Sequence, residues 1–397
     1  MTDSIKTTLD LSKLSPTARQ NIPAQICTVC TPWGEITGRY TKPSTQRSAM
    51  AETKMKWVVR CSIDKISCGP DNLPIQIDAD LNIPNAVVGH NLEHGTSVFA
   101  AAVAALELIR IWLAQCGLPR EELDRLGIED IMLGGVTITY LMLCRSDRDA
   151  QRLLDAIDVT GEIVNPRAES WRSTNKTVVL PARDHTVKAY IKSLFDSCAF
   201  PEGAPVNELK EQAGSIIRIE VKLGRMFLEV HGFLHLELWR AAYETGLYEE
   251  LFALTVRKAL LLHKTKLRHK EPREEVFARL SATEAELLRW YLAGNGVDDF
   301  QSIANSSSPL KRKSELRRTL LKAADIDIDI PWKDHIRLHC WELYDTLVYP
   351  GDYLPSAEHA PWCFCRANWG NLLAELRRTY EETVARVEAE RVAAEVS

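Results

Sequence analysis

A tyrosine between two lysines is the pattern in this sequence with the clearest chemical potential. It lies in residues 186–192, Thr-Val-Lys-Ala-Tyr-Ile-Lys. Side chains alternate across a strand with period two, so Lys188, Tyr190 and Lys192 share one face and three apolar residues share the other. A phenol can attack phosphorus as a covalent nucleophile. Because its ordinary pKa is about 10, we expect the two ammonium groups to lower that pKa and to balance phosphate charge.

Two further segments, 136–140 and 217–223, alternate in the same way. Their polar residues are Thr137 and Thr139 in the first segment and Arg218, Glu220 and Lys222 in the second. If the three segments are neighbouring strands, they form one sheet with a helix-covered apolar face and an open polar face. A carboxylate on the open face could bind Mg²⁺ or Mn²⁺, which would polarise a phosphoryl oxygen. Alternation alone favours a simpler interpretation, an amphipathic sheet whose polar face is merely solvated.

The pattern of the whole chain predicts an α+β fold around these strands. Residues 1–55 are polar and show little periodicity, so we interpret them as an N-terminal extension. Residues 56–235 hold the amphipathic strands and long helices, which predicts a core with an antiparallel sheet and helices on one face. A mainly helical C-terminal region follows in residues 236–330, and residues 331–397 are predicted to be a tail with a charged helix.

Composition limits the class of protein. The chain has 397 residues, of which 45% are hydrophobic and 26% charged, with a net charge of −5, so global disorder and a strongly basic coat are excluded. Residues 98–113 form the longest apolar run, but Glu107 and Arg110 interrupt it, which indicates a buried helix and no membrane contact. The first residues lack a secretory pattern. We therefore expect a cytoplasmic protein whose ten cysteines are thiols.

The charge is unevenly distributed. Residues 257–322 carry 15 Lys and Arg against 8 Asp and Glu, whereas the rest of the chain is acidic. Three short helices are predicted at 281–293, 297–305 and 308–322, an order typical of a helix-turn-helix module that reads the DNA major groove. The third helix carries Lys311, Arg312, Lys313, Arg317 and Arg318. A charged, solvated helix face is the alternative.

Other candidate sites have weaker support. Cys27 and Cys30 could join Cys363 and Cys365 in a zinc site, which would suggest an interaction protein, or all four could be idle thiols. Three histidine pairs at i, i+4 lack an obvious third ligand. Phosphate-binding glycine loops are absent, so helicase or polymerase activity would have to come from partners.

Four blocks of sequence, taken in order, resemble a known family. The blocks are Gly89-His90-Asn91 with Gly95-Thr96, the segment 136–140 with the helix after it, residues 183–192, and Ile217-Arg218-Ile219-Glu220, with a weaker fifth block at Ile63-Asp64-Lys65. The chain is similar here to the phage and plasmid replication initiators of the gene II/X family, best known from filamentous bacteriophages. The similarity covers about residues 63–235.

The resemblance implies a chemistry. Members of the family nick one strand of replicative DNA at an origin and start rolling-circle replication, and they later rejoin the displaced strand. By similarity Tyr190 is the nucleophile that keeps the 5′ phosphate and frees a 3′-OH primer. Lys192 and Lys188 would stabilise phosphate charge, and Glu220 with Asp64 would bind Mg²⁺ or Mn²⁺.

The resemblance also implies partners. These are double-stranded origin DNA, its displaced single strand, and a host helicase and polymerase, all in the cytoplasm of a bacterial host. The residues expected to contact DNA are His90, Asn91, Arg183, His185 and Arg218 in the core and Lys311, Arg312, Lys313, Arg317 and Arg318 in the helical region.

One position departs from the family pattern. The family usually has an acidic residue on the second strand, and here that position is Thr137, a poorer ligand for a hard cation. The missing charge could come from Asp64, Asp78, Asp80 or Asp184. The alternative function is therefore a catalytically impaired DNA-binding regulator derived from the same family.

Overall fold

The computed structural model describes residues 2–24, 26–30, 36–51, 53–61, 73–165, 167–172, 176–192, 200–262 and 267–396. A large antiparallel sheet organises this part of the chain, and most helices pack on one side of it. The α+β prediction, with helices on one face and a mainly helical C-terminal region, is confirmed.

Nine strands form the central sheet in the order β4-β5-β6-β1-β8-β12-β11-β10-β9, and each neighbouring pair is antiparallel. A hairpin of β2 and β3 and a short parallel pair of β7 and β13 lie outside it. The strands are β1 (Thr2–Asp10), β2 (Ile26–Cys30), β3 (Ile36–Thr41), β4 (Ser44–Arg47), β5 (Lys54–Cys61), β6 (Pro74–Asn82), β7 (His94–Gly95), β8 (Ile131–Leu143), β9 (Glu169–Arg172), β10 (Lys176–Pro181), β11 (His185–Ile191), β12 (Ile216–Gly224) and β13 (Phe364–Cys365).

The helices connect and cover these strands. They are α1 (Pro16–Gln20), α2 (Ile83–Val88), α3 (Val98–Gln115), α4 (Arg120–Leu123), α5 (Asp147–Val164), α6 (Val206–Gly214), α7 (Arg225–Val230), α8 (Glu237–Arg240), α9 (Leu247–Phe252), α10 (Glu274–Phe277), α11 (Ala282–Leu292), α12 (Gln301–Ala304), α13 (Pro309–Ala324), α14 (Trp332–His335), α15 (Cys340–Thr346) and α16 (Trp369–Val396). Of these, α3 packs on β1 and β8, and α5 packs on β10, β11 and β12. The opposite face of the sheet carries the alternating polar side chains.

The core helix α3 begins at a serine cap, where Ser97 Oγ accepts a hydrogen bond from the amide of Ala100. Within the described residues it is the one helix long and apolar enough to cross a membrane, and 78% of that stretch is buried inside the protein. The buried Glu107 carboxylate lies 3.4 Å from the Arg110 guanidinium. The prediction of a buried helix is confirmed.

The N-terminal residues are part of the sheet, which corrects the expected extension. Strand β1 lies between β6 and β8, and Ile5 and Leu9 are fully buried in the main core. The segment has only two large apolar side chains on its inner face, so its alternation is weak. Strands β4 and β5 extend the same sheet across the expected boundary at residue 55.

The helical region contains a second hydrophobic core. Helices α11, α12 and α13 surround it, and its buried side chains include Leu287, Leu288, Ile303, Leu316 and Leu320. The three predicted helices are therefore present, with ends displaced by one to four residues.

The C-terminal helix packs on the main core, whereas the sequence predicted a tail with a charged helix. Helix α16 packs along α3, and its Leu376, Tyr380 and Val384 are buried in the main core. Its charged residues Arg377, Arg378, Glu381, Glu382 and Arg386 are exposed.

We predict that Leu9→Ala lowers the free energy of unfolding by about 2–5 kcal/mol, because it leaves a cavity in the main core. The matched control is Leu310→Ala, since Leu310 is 85% exposed and should change stability by no more than about 0.5 kcal/mol. Urea unfolding of both variants measures the difference. Equal, small losses would show that β1 is peripheral.

Candidate active site on the open face of the sheet

The three amphipathic segments are adjacent strands, as the alternation suggested. Strand β12 lies between β8 and β11, and their register places Tyr190 opposite Arg218 and Lys188 opposite Glu220. On the other side of β12, Thr139 lies opposite Glu220. The apolar residues of these strands are buried under the helices, so the polar ones share the opposite face, where Arg218 and Thr139 are themselves buried.

Tyr190 is held by the carboxylate that the register brings near it. Its hydroxyl donates a hydrogen bond of 2.5 Å to Glu220 Oε1. Lys188 Nζ lies 4.5 Å from the centroid of the tyrosine ring and 4.0 Å from Glu220 Oε2. Because the phenolic proton is already hydrogen-bonded to a carboxylate, that carboxylate is in position to act as the base that removes it.

The protonation of Tyr190 differs from the sequence-based expectation. Burial raises the pKa of Tyr190 well above its ordinary value, the nearby Arg218 guanidinium offsets this only in part, and Glu220 raises it further. The expected lowering by lysines is outweighed by burial, and Lys192 donates through Nζ to the Asn91 side chain and, at 3.3 Å, to the Asn91 carbonyl. Tyr190 is therefore a neutral phenol at neutral pH and needs a base.

Arg218 lies at the centre of the site and is fully buried. Its Nη2 is 3.5 Å from Glu220 Oε1 and 3.3 Å from Asp3 Oδ1, and its guanidinium carbon is 5.9 Å from the centroid of the Tyr190 ring. The expected contact of Arg218 with DNA is corrected by this burial. The guanidinium instead fixes two carboxylates beside the tyrosine.

Asp3 is the residue of the site that the sequence analysis missed. It lies at an irregularity in the pairing of β1 with β8, between Thr2 and Ser4. Its carboxylate accepts hydrogen bonds from Asn91 Nδ2 at 2.7 Å and from Asn82 Nδ2 at 3.3 Å. The sequence carried no signal for it, because the alternation of residues 2–10 is weak and Arg218 is 215 residues away.

The loop after α2 brings the Gly-His-Asn block to the same place. Gly89 ends α2 with φ of +79°, a conformation that favours glycine. Asn91 then bridges the site, because its carbonyl accepts from both Arg218 and Lys192 while its side chain contacts Asp3. The prediction that Asn91 contacts DNA stays a prediction.

His90 does not face the open surface, which corrects its expected contact with DNA. The ring is fully buried, and Nε2 lies 2.8 Å from the carbonyl oxygen of Trp362. Burial lowers the pKa of His90 to about 4, although the hydrogen bond opposes this. A neutral imidazole in this position shapes the loop that carries Asn91.

Arg183 and His185 lie at the opposite end of β11 from Tyr190. Five residues of strand separate His185 from Tyr190, or roughly 17 Å. His185 Nδ1 is 2.8 Å from Asp184 Oδ1, and its ring packs against Phe227. Arg183 is exposed and can reach a ligand on that edge of the sheet.

Three of the four candidates for the acid expected on the second strand are held by other residues. Thr137 Oγ1 accepts a hydrogen bond of 2.9 Å from Ser4 Oγ. Asp80 pairs with Lys6, Asp78 pairs with Arg60, and Asp184 is beside His185. Asp64 lies outside the described residues, as does the weak block around it. The second carboxylate near Tyr190 is Asp3.

Of the two expected metal ligands, Glu220 lies in the site and Asp64 lies outside the described residues. In the described part of the chain, no group of three or more His, Cys, Asp or Glu side chains is placed to hold a metal ion. Asp3 and Glu220 already share Arg218, and Lys188 and Lys192 add two positive charges. Hard divalent cations need free carboxylate or carbonyl oxygens, and both Glu220 oxygens already face Tyr190, Arg218 or Lys188.

The basic residues of α13 divide into two groups. Lys313 pairs with Asp298 at 2.9 Å, Arg317 pairs with Asp327 at 2.5 Å, and Arg312 lies 3.6 Å from Glu315. Lys311 and Arg318 are exposed and have no ion-pair partner among the residues that the structure describes.

Comparisons with protein-family models, with curated proteins and with solved structures give no match to this chain.

We predict that Arg218→Ala lowers the free energy of unfolding by about 3–5 kcal/mol, because two partly buried carboxylates lose their counter-charge. Arg183→Ala is the control, since it removes an exposed guanidinium from the same sheet. Urea unfolding at neutral pH measures both. A loss below about 1 kcal/mol in Arg218→Ala would contradict the central position of that residue.

Proposed function

We propose that this protein nicks and rejoins single DNA strands through Tyr190, as an initiator of rolling-circle replication. The observation that carries the proposal is the 2.5 Å hydrogen bond from the Tyr190 hydroxyl to Glu220, on an open face lined by cationic side chains. The family resemblance of four ordered blocks adds support. The proposed partners are double-stranded origin DNA, its displaced strand, and a helicase and a polymerase of a bacterial host. The proposed location is the cytoplasm.

The proposed cleavage step balances with side chains alone. The Tyr190 oxygen attacks the scissile phosphorus while its proton passes to Glu220 Oε1. The bond from phosphorus to O3′ breaks, and O3′ takes a proton from solvent. The product is a 5′-phosphotyrosine and a free 3′-OH. Rejoining reverses these steps, with a 3′-OH as the attacking group and Glu220 returning the proton to Tyr190.

The neighbouring residues have separate proposed roles. Lys188 lies on the exposed side of the tyrosine ring, where it can neutralise the non-bridging phosphate oxygens. Lys192, held by Asn91, supplies a second positive charge. Arg218 and Asp3 act through Glu220 by fixing its carboxylate, so they are positioning residues.

The divalent cation that the resemblance implies stays a prediction. Because Glu220 is already engaged by Tyr190, Arg218 and Lys188, no proposed step uses the cation. Nicking assays in Mg²⁺, in Mn²⁺ and in EDTA distinguish a metal-dependent reaction from one that uses side chains alone.

The helical region around α13 is the proposed contact with double-stranded DNA. Lys311 and Arg318 are seven residues apart, which places them on one side of the helix. Lys313 and Arg317 hold the loops that carry Asp298 and Asp327 and are less available to phosphates. Of the five residues expected to contact DNA, Lys311 and Arg318 are therefore the proposed phosphate contacts. Arg312 lies beside them and is partly engaged by Glu315.

A catalytically impaired DNA-binding regulator is the second candidate. The observation that favours it is Thr137 in place of the family acid, where its hydroxyl is hydrogen-bonded to Ser4. DNA binding without nicking under every metal condition would support it.

The test of the proposed function is a nicking and adduct assay with supercoiled DNA from the protein's own replicon. We expect nicked circles and a covalent complex from the wild type, and neither from Tyr190→Phe. Tyr344→Phe is the control because Tyr344 lies outside the site, against Arg257. Nicking that survives in Tyr190→Phe would refute the proposal.

We predict that Glu220→Gln slows nicking by about 10²–10⁴-fold, since it removes the base. Burial is the main cause of the raised pKa of Tyr190, so its phenolate fraction stays small below that pKa. The residual rate of the variant should therefore rise with pH without levelling off near pH ~10.

Initial rates between neutral and strongly alkaline pH measure this effect. Glu229→Gln is the matched control, because Glu229 pairs with Arg225 on α7 and not with the tyrosine. A plateau at the ordinary tyrosine pKa, or a wild-type rate in Glu220→Gln, would show that Glu220 is not the base.

We predict that Lys311→Ala with Arg318→Ala weakens binding to duplex DNA and lowers the slope of log affinity against log salt. Two phosphate contacts correspond to a change of about 1.8 in that slope. Arg386→Ala, an exposed change on α16, should leave the slope unchanged. Titrations at several salt concentrations measure it, and an unaltered slope in the double variant would exclude α13 as the contact.

A further inference from the structure

A cavity of about 310 Å³ opens on the same polar face as Tyr190, and no step of the proposed reaction uses it. Three strands of the sheet form it where β1, β8 and β12 meet. Its lining is Ser4, Lys6, Asp80, residues 134–137 and residues 222–224. Its volume is at the lower end of the range for small-molecule sites, which suits one nucleotide and not a base pair.

Two successive glycines form the floor of the cavity. The pairing of β1 with β8 is irregular between Lys6 and Thr7, opposite Gly134 and Gly135. A Cβ on Gly135 would lie 3.2 Å from the carbonyl oxygen of Leu223 and 3.6 Å from Lys6 Cδ. A side chain would therefore fill the space, and the bare backbone leaves a flat surface that a planar base can cover.

The walls of the cavity carry both hydrogen-bond donors and hydrogen-bond acceptors. Lys222 is exposed and has no ion-pair partner among the residues described. Lys6 Nζ is 2.9 Å from Asp80 Oδ2, and both side chains are about half exposed. The hydroxyls of Ser4 and Thr137 are hydrogen-bonded to each other at the rim. An ammonium group suits a phosphate, and the carboxylate and hydroxyls suit the edge of a base.

The cavity is in line with the reacting tyrosine. Lys222 lies four residues beyond Arg218 on β12 and on the same face, so roughly 13 Å of strand separates them. Arg218 is directly opposite Tyr190. That separation corresponds to about four nucleotides of a stacked strand and to fewer of an extended one.

We propose that this cavity is a subsite for one unpaired nucleotide of the DNA strand that Tyr190 cleaves. Lys222 contacts its phosphate, and its base lies over Gly134 and Gly135 with its polar edge towards Asp80 and Thr137. The inference rests on the proposed function, because it assumes that the strand crosses the open face from Tyr190. It adds a residue set that selects a single strand and reads one base.

Binding of single-stranded DNA to the full-length Tyr190→Phe protein tests the proposal without cleavage. The probe is a fluorescent oligonucleotide that spans the nick site of the replicon, and anisotropy reports its affinity. We expect Lys222→Ala to weaken binding about tenfold or more, as for a lost charge-assisted hydrogen bond. Lys258→Ala is the control, since Lys258 is exposed on the helical side.

A charge-neutral variant separates the cavity from general electrostatics. A Cβ on Gly134 meets Lys6 atoms at 3.6 Å and beyond, which is ordinary contact. Gly134→Val should therefore fold, fill the cavity and weaken binding to a similar extent. Thermal unfolding of each variant checks its fold.

The outcomes are distinguishable from failure of the proposed function. Wild-type nicking with unchanged oligonucleotide affinity in Lys222→Ala and Gly134→Val would overturn the subsite alone. Competition by inorganic phosphate as strong as by the oligonucleotide would also overturn it, because the cavity would then be a simple anion site. A wild-type protein that neither nicks nor binds the oligonucleotide would overturn both proposals.

Discussion

The burial of Arg218 is the constraint on which the site depends. A guanidinium without solvent is stable only when carboxylates and carbonyls accept its protons. Asp3, Glu220 and the Asn91 carbonyl accept from its two Nη atoms, and they come from three distant parts of the chain. Satisfying one buried charge therefore fixes the carboxylate that holds Tyr190, the strand at the N-terminus and the loop after α2.

The C-terminal segment supports the same loop from outside. The Trp362 carbonyl contacts His90, and β13 pairs with β7, where the Arg366 amide donates to the Gly95 carbonyl at 3.0 Å. A Cβ on Gly95 would lie 2.3 Å from the Tyr353 carbonyl oxygen, so only glycine allows this approach. Residues near both ends of the chain thus hold the loop that carries Asn91, which explains why neither end behaves as an appendage.

Strand alternation was enough to predict the sheet at the site. The period-two patterns of β8, β11 and β12 placed Tyr190, Glu220 and Lys188 on one face, and the register confirmed that the strands are neighbours. Alternation predicts which face of the sheet a side chain lies on. It does not predict which residues from distant parts of the sequence contact that side chain. It could not show Asp3, which meets Arg218 across 215 residues of sequence. Nor could it show the burial that raises the pKa of Tyr190, or the turn of Lys192 towards Asn91. The ion pairs of Lys313 and Arg317 were hidden for the same reason, because their aspartates lie on separate loops.

The most direct measurement is to locate the covalent bond to DNA. The protein is incubated with replicon DNA, trapped, digested with nuclease and trypsin, and examined by mass spectrometry. Cleavage after Lys188 and Lys192 isolates a four-residue peptide that contains Tyr190. Our account predicts a 5′-phosphonucleotide on that peptide. Nicked DNA with the nucleotide on another residue, or with no adduct, would contradict it.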